Sequence, residues 1–497
     1  MKKTKAIIIG SGVGGLATAI RLATDGFDVI VYEKNSYPGG KLSAFVKNGY
    51  LFDAGPSLFT CPFSLEEIFK YANEPIAEYF SYTKVDTTCN YFFSDHTILT
   101  ASSDIEKFSK ELQSKHQEDE VQVKKYLEQS KQLYTKTGSF FLNHSLHLLS
   151  SYFNRKMVKA ISGFKLKFIS KSLHQYNKNQ FKNPKTIQIF NRFATYNGSS
   201  PFLAPAMLSL ISHLEFNEGI FYPKGGMISI TNALYQLAIK KGVKFVFDQE
   251  VNEIVIENSF VKGIHVNNNF INSDVVISNG DVYFTYKKLL QDEKAASKIL
   301  KQERSSSALI FYWGINKEFA ALDLHNIFFA EDYKAEFESI FNTKSVYPDP
   351  TIYINITSKM EPTSQAPKGK ENWFVMINVP ASENMNWENA KLEYRNFIIQ
   401  KINKTLQINI ETLIEVEEIL DPKLIESKTS SFLGSIYGTS SNSLFAAFLR
   451  HPNFSSKYKN LYFVGGSVHP GGGIPLCMQS ASITSKIIQQ KFTSKQP

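Results

Sequence analysis

The run Lys5-Ala-Ile-Ile-Ile-Gly10-Ser11-Gly12-Val13-Gly14-Gly15-Leu16, followed by Glu33, leaves few folds open to this chain. Ala6 to Ile9 read as a buried apolar strand. Gly10 makes the tight turn, Gly12 lets the backbone approach a pyrophosphate, and Gly15 lets the next helix pack closely on the strand. That helix is predicted over residues 13–25, and Phe27 to Tyr32 supply a second parallel strand. Bare N–H groups and the dipole at the helix start attract phosphate charge. Glu33, at the end of the second strand, is placed to accept hydrogen bonds from a ribose, and its carboxylate repels a 2′-phosphate. Any one piece is a common glycine-rich turn. Strand, glycines, helix, strand and acid in this order describe a dinucleotide-binding fold. Lys2, Lys3 and Lys5 before an apolar run also suit a secretion signal, but Gly10, Gly12, Gly14 and Gly15 interrupt that run and no small-residue cleavage site closes it. A mature cytoplasmic start is the expectation.

A chain of 497 residues has room for two or three cores. Apolar content of 43% with 20% charge is globular and excludes a disordered chain. The 40 Phe and 24 Tyr suit a protein that encloses something flat and greasy, although aromatics also fill ordinary cores. Cys61, Cys89 and Cys477 are scattered, so neither a disulfide framework nor a metal site is expected. No run approaches the roughly 18 apolar residues that span a bilayer.

The net charge of +9 is unevenly spread. Residues 129–214 contain no Asp or Glu, while Lys131, Lys136, Arg155, Lys156, Lys159, Lys165, Lys167, Lys171, Lys178, Lys182, Lys185 and Arg192 are all basic. The remainder is slightly acidic. Within the basic stretch Met157, Ile161, Phe164 and Phe168 follow helical spacing on one face, with lysines at the margins and behind. Such a helix suits a membrane interface, apolar face down and lysines toward anionic headgroups. An ordinary domain helix with solvated lysines carries the same pattern. Nucleic acid is not an expected partner, because no recognised binding module accompanies the charge. The expectation is a peripheral membrane surface of anionic lipid at about residues 140–185.

Three blocks read as parts of one nucleotide-binding domain: residues 1–100, 216–300 and 426–497. The second holds a helix from Met227 to Lys240 and strands at Val243 to Phe247, Glu250 to Ile256, Lys262 to Val266 and Asp274 to Asn279. The third holds Leu461 to Gly466 and a helix from about Leu476. Residues 101–215 read as helical, with Ser103-Asp104 as a cap and a second helix over Asp119 to Lys136. Residues 301–425 mix strands at Ala308 to Trp313, Thr351 to Ile356 and Trp373 to Val379 with a helix over Trp387 to Leu406. A nicotinamide dehydrogenase usually keeps its nucleotide domain in one block. A chain that returns to the site at its far end suits a cofactor held permanently along its whole length, which points to a flavin.

Pro38-Gly39-Gly40-Lys41 adds backbone N–H groups and a cation for the second phosphate. Tyr50-Leu-Phe-Asp53-Ala-Gly55-Pro56-Ser57-Leu58 reads as a strand entering a tight turn. Val464-Gly465-Gly466-Ser467-Val468-His469-Pro470-Gly471-Gly472-Gly473-Ile474-Pro475 places five glycines in nine residues between a strand and a helix, leaving amides free to meet a planar ring. With these motifs the chain resembles the bacterial-type carotenoid desaturases, the phytoene desaturase family of amine-oxidase-like flavoproteins. The resemblance also rests on Ala194-Thr-Tyr-Asn-Gly-Ser-Ser-Pro201-Phe-Leu-Ala-Pro205-Ala, Tyr222-Pro-Lys-Gly225-Gly226 and Ser278-Asn279-Gly280-Asp281. The central segment is similar to the branch that desaturates the 3,4 bond of hydroxylated acyclic carotenoids. Two residues depart from the family pattern: Lys41 stands where Arg is common, giving a point charge in place of a bidentate fork, and Asn197 stands where a small or apolar residue is usual.

The resemblance implies an α/β chain with a Rossmann-type FAD-binding domain built from discontinuous segments, a second α+β substrate domain and a helical membrane-facing region. It implies FAD held by Gly10, Ser11, Gly12, Gly14, Gly15, Glu33, Lys34, Gly39, Gly40, Lys41, the Pro56-Ser57-Leu58 turn, Val251 near the adenine, and Gly465, Gly466, Pro470, Gly473 and Ile474 against the flavin. It also implies a carotenoid substrate in a long apolar tunnel, and oxygen or a quinone as electron acceptor. Desaturation removes a hydride and a neighbouring proton; a flavin takes the first, and a polyene delocalises the charge left behind. The scheme asks for no strong base, and no catalytic side chain is assigned. His469 is a candidate acid or base, but the preferred reading is that it packs while its glycine neighbours bind. Phe311, Tyr312, Trp313, Phe328 and Phe329 are candidates for the tunnel wall. Alternatives are a phytoene desaturase, a carotenoid isomerase or ketolase, an amine or porphyrinogen oxidase, and a non-catalytic prenyl-lipid escort; the intact glycines and Glu33 argue against the last.

Overall fold

The structure, a computed structural model, describes residues 3–138, 144–148, 167–443, 446 and 449–493. Strand β1 (Lys5–Ile9), helix α1 (Val13–Thr24) and strand β2 (Asp28–Tyr32) form the first βαβ half-turn. They lie in a five-stranded sheet in the order Leu461–Phe463, Val275–Ser278, β1, β2, Lys244–Val246, with every pairing parallel. The alternation along β1 explains why the whole strand is apolar. Ala6 and Ile8 pack with Leu16 and Ile20 of α1, Leu234 and Leu237 of helix Ile228–Lys240, and Met478 and Ala481 of helix Ile474–Thr493. Ile7 points the other way, against Ile254 and Ile264 of a three-stranded antiparallel sheet. Both faces are covered, so both need hydrocarbon.

A second sheet has seven strands in the order Ile414–Leu420, Ser307–Ile315, Glu371–Val379, Ile352–Ile356, His325–Phe328, Thr87–Phe92, Ile98–Ser102. Only the pairing of His325–Phe328 with Thr87–Phe92 is parallel. Leu309, Phe311 and Trp313 face Tyr394, Ile398 and Ile402 of helix Trp387–Leu406. Ala308, Ile310 and Tyr312 face the opposite side. At that end the hairpin of Ala44–Lys47 and Tyr50–Asp53 packs on them through Phe45, Tyr50 and Phe52, and at the other end of the sheet helices from the 101–215 stretch cover Tyr91, Leu99, Ala101 and Ile327. Asp104 caps Ile105–His116 through the N–H groups of Glu106 and Lys107, and Asp119 caps Glu120–Leu133 through that of Val121.

Two expectations change. Thr87–Phe92 falls inside the 1–100 block read as part of the nucleotide-binding domain and Ile98–Ser102 runs across its end, yet both join the second sheet, where Phe92 stacks on Phe328 at 4.5 Å. The pairing partner lies far along the chain, and nothing local announces it. Of the amphipathic face expected on a membrane, Met157, Ile161 and Phe164 lie outside the described residues. Phe168 is described, and it is buried with its ring 5.3 Å from that of Tyr176, in the helical core rather than on a surface. Among the described residues no helix is long and apolar enough to cross a membrane.

Candidate active site

At Gly14 three distant stretches of chain meet. A Cβ there would stand 2.8 Å from Asn279 Oδ1 and 3.1 Å from the Gly465 backbone. At Gly15 a Cβ would stand 2.2 Å from the Gly10 carbonyl oxygen, so only glycine lets α1 sit this close to the turn. Asn279 follows strand Val275–Ser278 and donates from Nδ2 to Gly10 O at 3.4 Å, clamping the turn from the neighbouring strand. Asn279 stands in the Ser278-Asn279-Gly280-Asp281 motif, but its sequence position alone assigns it no role.

The turn opens on a cavity of about 1130 Å³. Gly10, Gly12, Gly14, Glu33, Lys34, Gly39, Gly40, Lys41, Pro56, Ser57, Leu58, Val251, Gly465, Gly466, Pro470, Gly473 and Ile474 all line it. Ser11 and Gly15 stand behind this wall. Ser11 is fully buried, and its N–H and hydroxyl both donate to Glu33 Oε2, at 2.7 and 2.8 Å. Glu33 Oε1 accepts from the Asn35 N–H at 3.0 Å and from Asn35 Nδ2 at 2.8 Å. The carboxylate therefore reaches the cavity in a fixed orientation, with the glycine turn tied to the end of β2. Lys34 directs its ammonium elsewhere, to Ser427 O at 2.5 Å and Ser430 Oγ at 3.0 Å.

The residues present fit a dinucleotide diphosphate. No side chain caps α1 and no acid occupies its first turn, so its N-terminal N–H groups stay open. Two cations, the half-buried Lys41 and the buried Arg450, line the cavity. Among the described residues Lys41 Nζ reaches only the carbonyls of Ile436 (3.1 Å) and Ser435 (3.5 Å), and Arg450 the Tyr437 carbonyl (2.8 Å) and Ser441 hydroxyl (3.3 Å). Asp281 is engaged by Arg304, whose Nε and Nη1 have no partner among the described residues. Burial pushes the Lys41 ammonium down to about 8 and Arg450 down to about 10. Buried cations without carboxylates are costly unless an anion joins them. Arg304 and Arg450 carried no signal in the sequence, since each is a lone basic residue outside any motif.

Beyond the glycine loops the same cavity continues as an apolar channel. Ala308, Ile310 and Tyr312 line it, as do Ile327, Phe329, Tyr353 and Phe374. Tyr312 and Phe329 meet the expectation for the tunnel wall. Phe311, Trp313 and Phe328 do not, because the pleat turns them into the core beneath. Leu208, Ile211 and Leu214 close the helical side. Ionisable groups interrupt this wall: the buried Glu336 lines it, accepting from the Thr351 N–H and hydroxyl, and Arg192 pairs with Glu215, which is fully buried, while the Tyr91 hydroxyl accepts from Arg192 Nε at 3.0 Å and Nη2 at 2.7 Å. The Tyr196 hydroxyl donates to the same carboxylate. His469 also lines the cavity, with Nε2 held 2.9 Å from the His144 carbonyl and its own carbonyl accepting from Asn453 Nδ2 at 2.9 Å. Its ring is thus engaged by the backbone of the 144–148 segment. A cationic, amide-rich groove opening directly into a hydrocarbon channel can hold a dinucleotide at one end and lay a long apolar molecule against it at the other.

Residues 13–488 match the family of flavin containing amine oxidoreductases. The 1-hydroxycarotenoid 3,4-desaturase of Flavobacterium sp. (strain P99-3) is 52% identical over 484 residues, 97% of this chain and 99% of that protein. The 4,4'-diapolycopene oxygenase of Methylomonas sp. is 32% identical over 501 residues, 99% of this chain and 98% of that one. Among solved structures, an oxidoreductase from Methanosarcina mazei has the same fold, with a TM-score of 0.65 and 16% identity over 98% of this chain and all of that one. Sheet, glycine cradle, channel and relatives agree: the chain belongs to the flavin-containing amine oxidoreductase family, on its carotenoid desaturase branch, and is an FAD-dependent oxidoreductase.

Proposed function

We propose that this protein introduces the 3,4 double bond into a 1-hydroxylated acyclic carotenoid. The observation that carries the reading is the single cavity in which the nucleotide groove runs without a break into the apolar channel. The 52%-identical relative, a 1-hydroxycarotenoid 3,4-desaturase, supports the choice of substrate. When bound, FAD supplies a two-electron acceptor that takes a hydride at N5. The chain's part is to hold and exclude. The α1 N-terminus, Gly39, Gly40, Gly465 and Lys41 take the diphosphate, with Ser11 and Gly15 shaping the turn from behind. Glu33 takes the ribose, sharing Oε1 or Oε2 with Asn35 or Ser11; Val251 meets the adenine; Pro56, Ser57, Leu58, Gly466, Pro470, Gly473 and Ile474 face the ring. Ile310, Tyr312 and Phe374 keep water from the substrate, so the charge that develops on the polyene is lost as a proton rather than captured. The nucleotide-binding unit is drawn from the blocks within 1–100, 216–300 and 426–497, and the remainder forms the substrate unit.

The test is incubation of FAD-loaded protein with a 1-hydroxylated acyclic carotenoid. A red-shifted chromophore and a mass lower by two hydrogens are expected. An unchanged chromophore overturns the reading, and a mass gain of one oxygen replaces it with an oxygenase. We also propose peripheral attachment to the cytoplasmic face of a membrane through anionic lipid at about residues 140–185, with oxygen or a quinone as terminal acceptor. Flotation on anionic liposomes tests the attachment: reversing Lys156, Lys159, Lys165 and Lys167 to Glu is expected to abolish it. Turnover with a quinone under anaerobic conditions tests the acceptor.

A further inference from the structure

His325 begins the strand His325–Phe328, lines the channel and is 3% exposed. Its Nδ1 lies 2.8 Å from the Tyr353 hydroxyl and 3.2 Å from Asn355 Nδ2. An amide nitrogen only donates, and this one also serves the Leu324 carbonyl at 3.1 Å. The Tyr353 hydroxyl accepts from the Ser57 hydroxyl at 3.1 Å, which frees its own proton for Nδ1. Two donors thus converge on Nδ1 and make it the acceptor nitrogen. Burial and the nearby Arg192 guanidinium push the ring down to about 3, so it is neutral and carries its single proton on Nε2. That Nε2–H has no acceptor among the described residues. A buried donor without a partner is unfavourable, and because the His325 side chain lines the channel, the oxygen of a channel ligand is the acceptor that could satisfy this enclosed Nε2–H.

The proposed substrate needs such a contact. An isoprenoid chain repeats, and apolar attraction is non-directional, so a hydrocarbon wall holds the chain equally well after a slide of one repeat. Only a polar end group can set the register. A hydroxyl on C1 is two carbons from C3, where the oxidised bond begins, so its partner must stand close to the redox ring. Ser57, Tyr353 and His325 form one hydrogen-bonded row leading from the Pro56-Ser57-Leu58 turn into the channel.

We propose that His325 Nε2–H donates to the C1 hydroxyl oxygen of the substrate and thereby fixes the C3–C4 bond as the one presented for oxidation. This rests on the desaturase reading above and names the residue that confers its specificity. Tyr353 and Ser57 act through His325 as positioning residues, holding its tautomer.

The experiment compares a 1-hydroxylated acyclic carotenoid with the same polyene lacking the hydroxyl, using FAD-loaded full-length protein, His325→Phe and His325→Gln. Flavin absorbance and thermal midpoint confirm that each variant is loaded and folded. The wild type is expected to favour the hydroxylated substrate in kcat/KM by up to about 100-fold, the effect of leaving one buried donor unpaired when the hydroxyl is absent. His325→Phe is expected to lower that preference at least tenfold, with most of the change in KM for the hydroxylated substrate and with double bonds formed at other positions. His325→Gln keeps an N–H donor and is expected to retain most of the preference. An unchanged preference in His325→Phe overturns the proposal, as does an equal loss on both substrates. If His325→Phe does not retain FAD, His325→Gln and the wild-type preference decide: a wild type that desaturates both polyenes equally well overturns the pin and leaves the desaturase reading standing. A wild type that desaturates neither overturns both.

Discussion

The two ends of the cavity are built by different means. The nucleotide end is made of backbone: glycine turns at 10–15, 39–40 and 465–466 meet around Asn279, and few side chains reach inward. The channel end is made of side chains that alternate strands and short helices deliver from far-separated stretches, such as Arg192, Glu215, His325, Ile310 and Tyr353. A backbone cradle tolerates no added atom but is indifferent to its neighbours' chemistry. A side-chain wall tolerates changes of shape but depends on each polar group being partnered. The first binds a ligand common to a whole family; the second selects what is laid against it.

The largest expected effect tests the first half of that contrast. Gly15→Val puts a side chain where the Gly10 carbonyl already stands, 2.2 Å from the Cβ position. The helix must retreat, overpacking costs about 3 kcal/mol or more, and protein purified without flavin absorbance is expected. Retention of a full complement of FAD would break the contrast. Next, Arg192→Met leaves the fully buried Glu215 without its cation, with an expected loss of about 3–5 kcal/mol in urea unfolding. The double replacement Arg192→Met with Glu215→Leu is expected to recover most of it, which an unpartnered-charge penalty requires. Ile310→Trp fills the channel from its strand face. About a 100-fold fall in kcat/KM is expected, with flavin content per protein unchanged; a parallel loss of FAD would show that the two ends are not separable.

The smallest effect is a pH dependence. Burial holds Lys41 at about 8 without a ligand, and an adjoining diphosphate favours the protonated form, so binding takes up a proton as pH passes 8. Affinity for FAD is expected to be level below pH 8 and to fall above it, by at most about tenfold per unit. Apoprotein titrations at pH 7 and 9.5 read this directly, and Lys41→Met is expected to remove the dependence along with part of the affinity.

The same contrast explains what the sequence disclosed. Strands β1 and β2, helix α1 and helix Trp387–Leu406 were legible because each is a local pattern of apolar spacing, glycine or capping residues. The candidate cofactor residues were legible because turns that expose backbone must use glycine in consecutive positions. Ser11 is the instructive exception: it occupies the motif yet faces Glu33 rather than the cavity, a distinction that only the pleat of β2 decides. The channel was not legible. Phe311, Tyr312 and Trp313 are all buried, so hydropathy cannot tell which one faces the ligand. Of the basic residues counted in the acid-free stretch, Arg192 pairs inside the channel and Lys185 pairs with Asp95. Charge counted along a chain does not say which side of a wall it ends on.

The parallel strand Leu461–Phe463 and the glycines after it complete a pocket whose first wall is strand β1. The cradle therefore closes only when strand Leu461–Phe463 has paired with Val275–Ser278, and a chain cut before that strand is expected to leave the glycine turn after β1 without its facing wall.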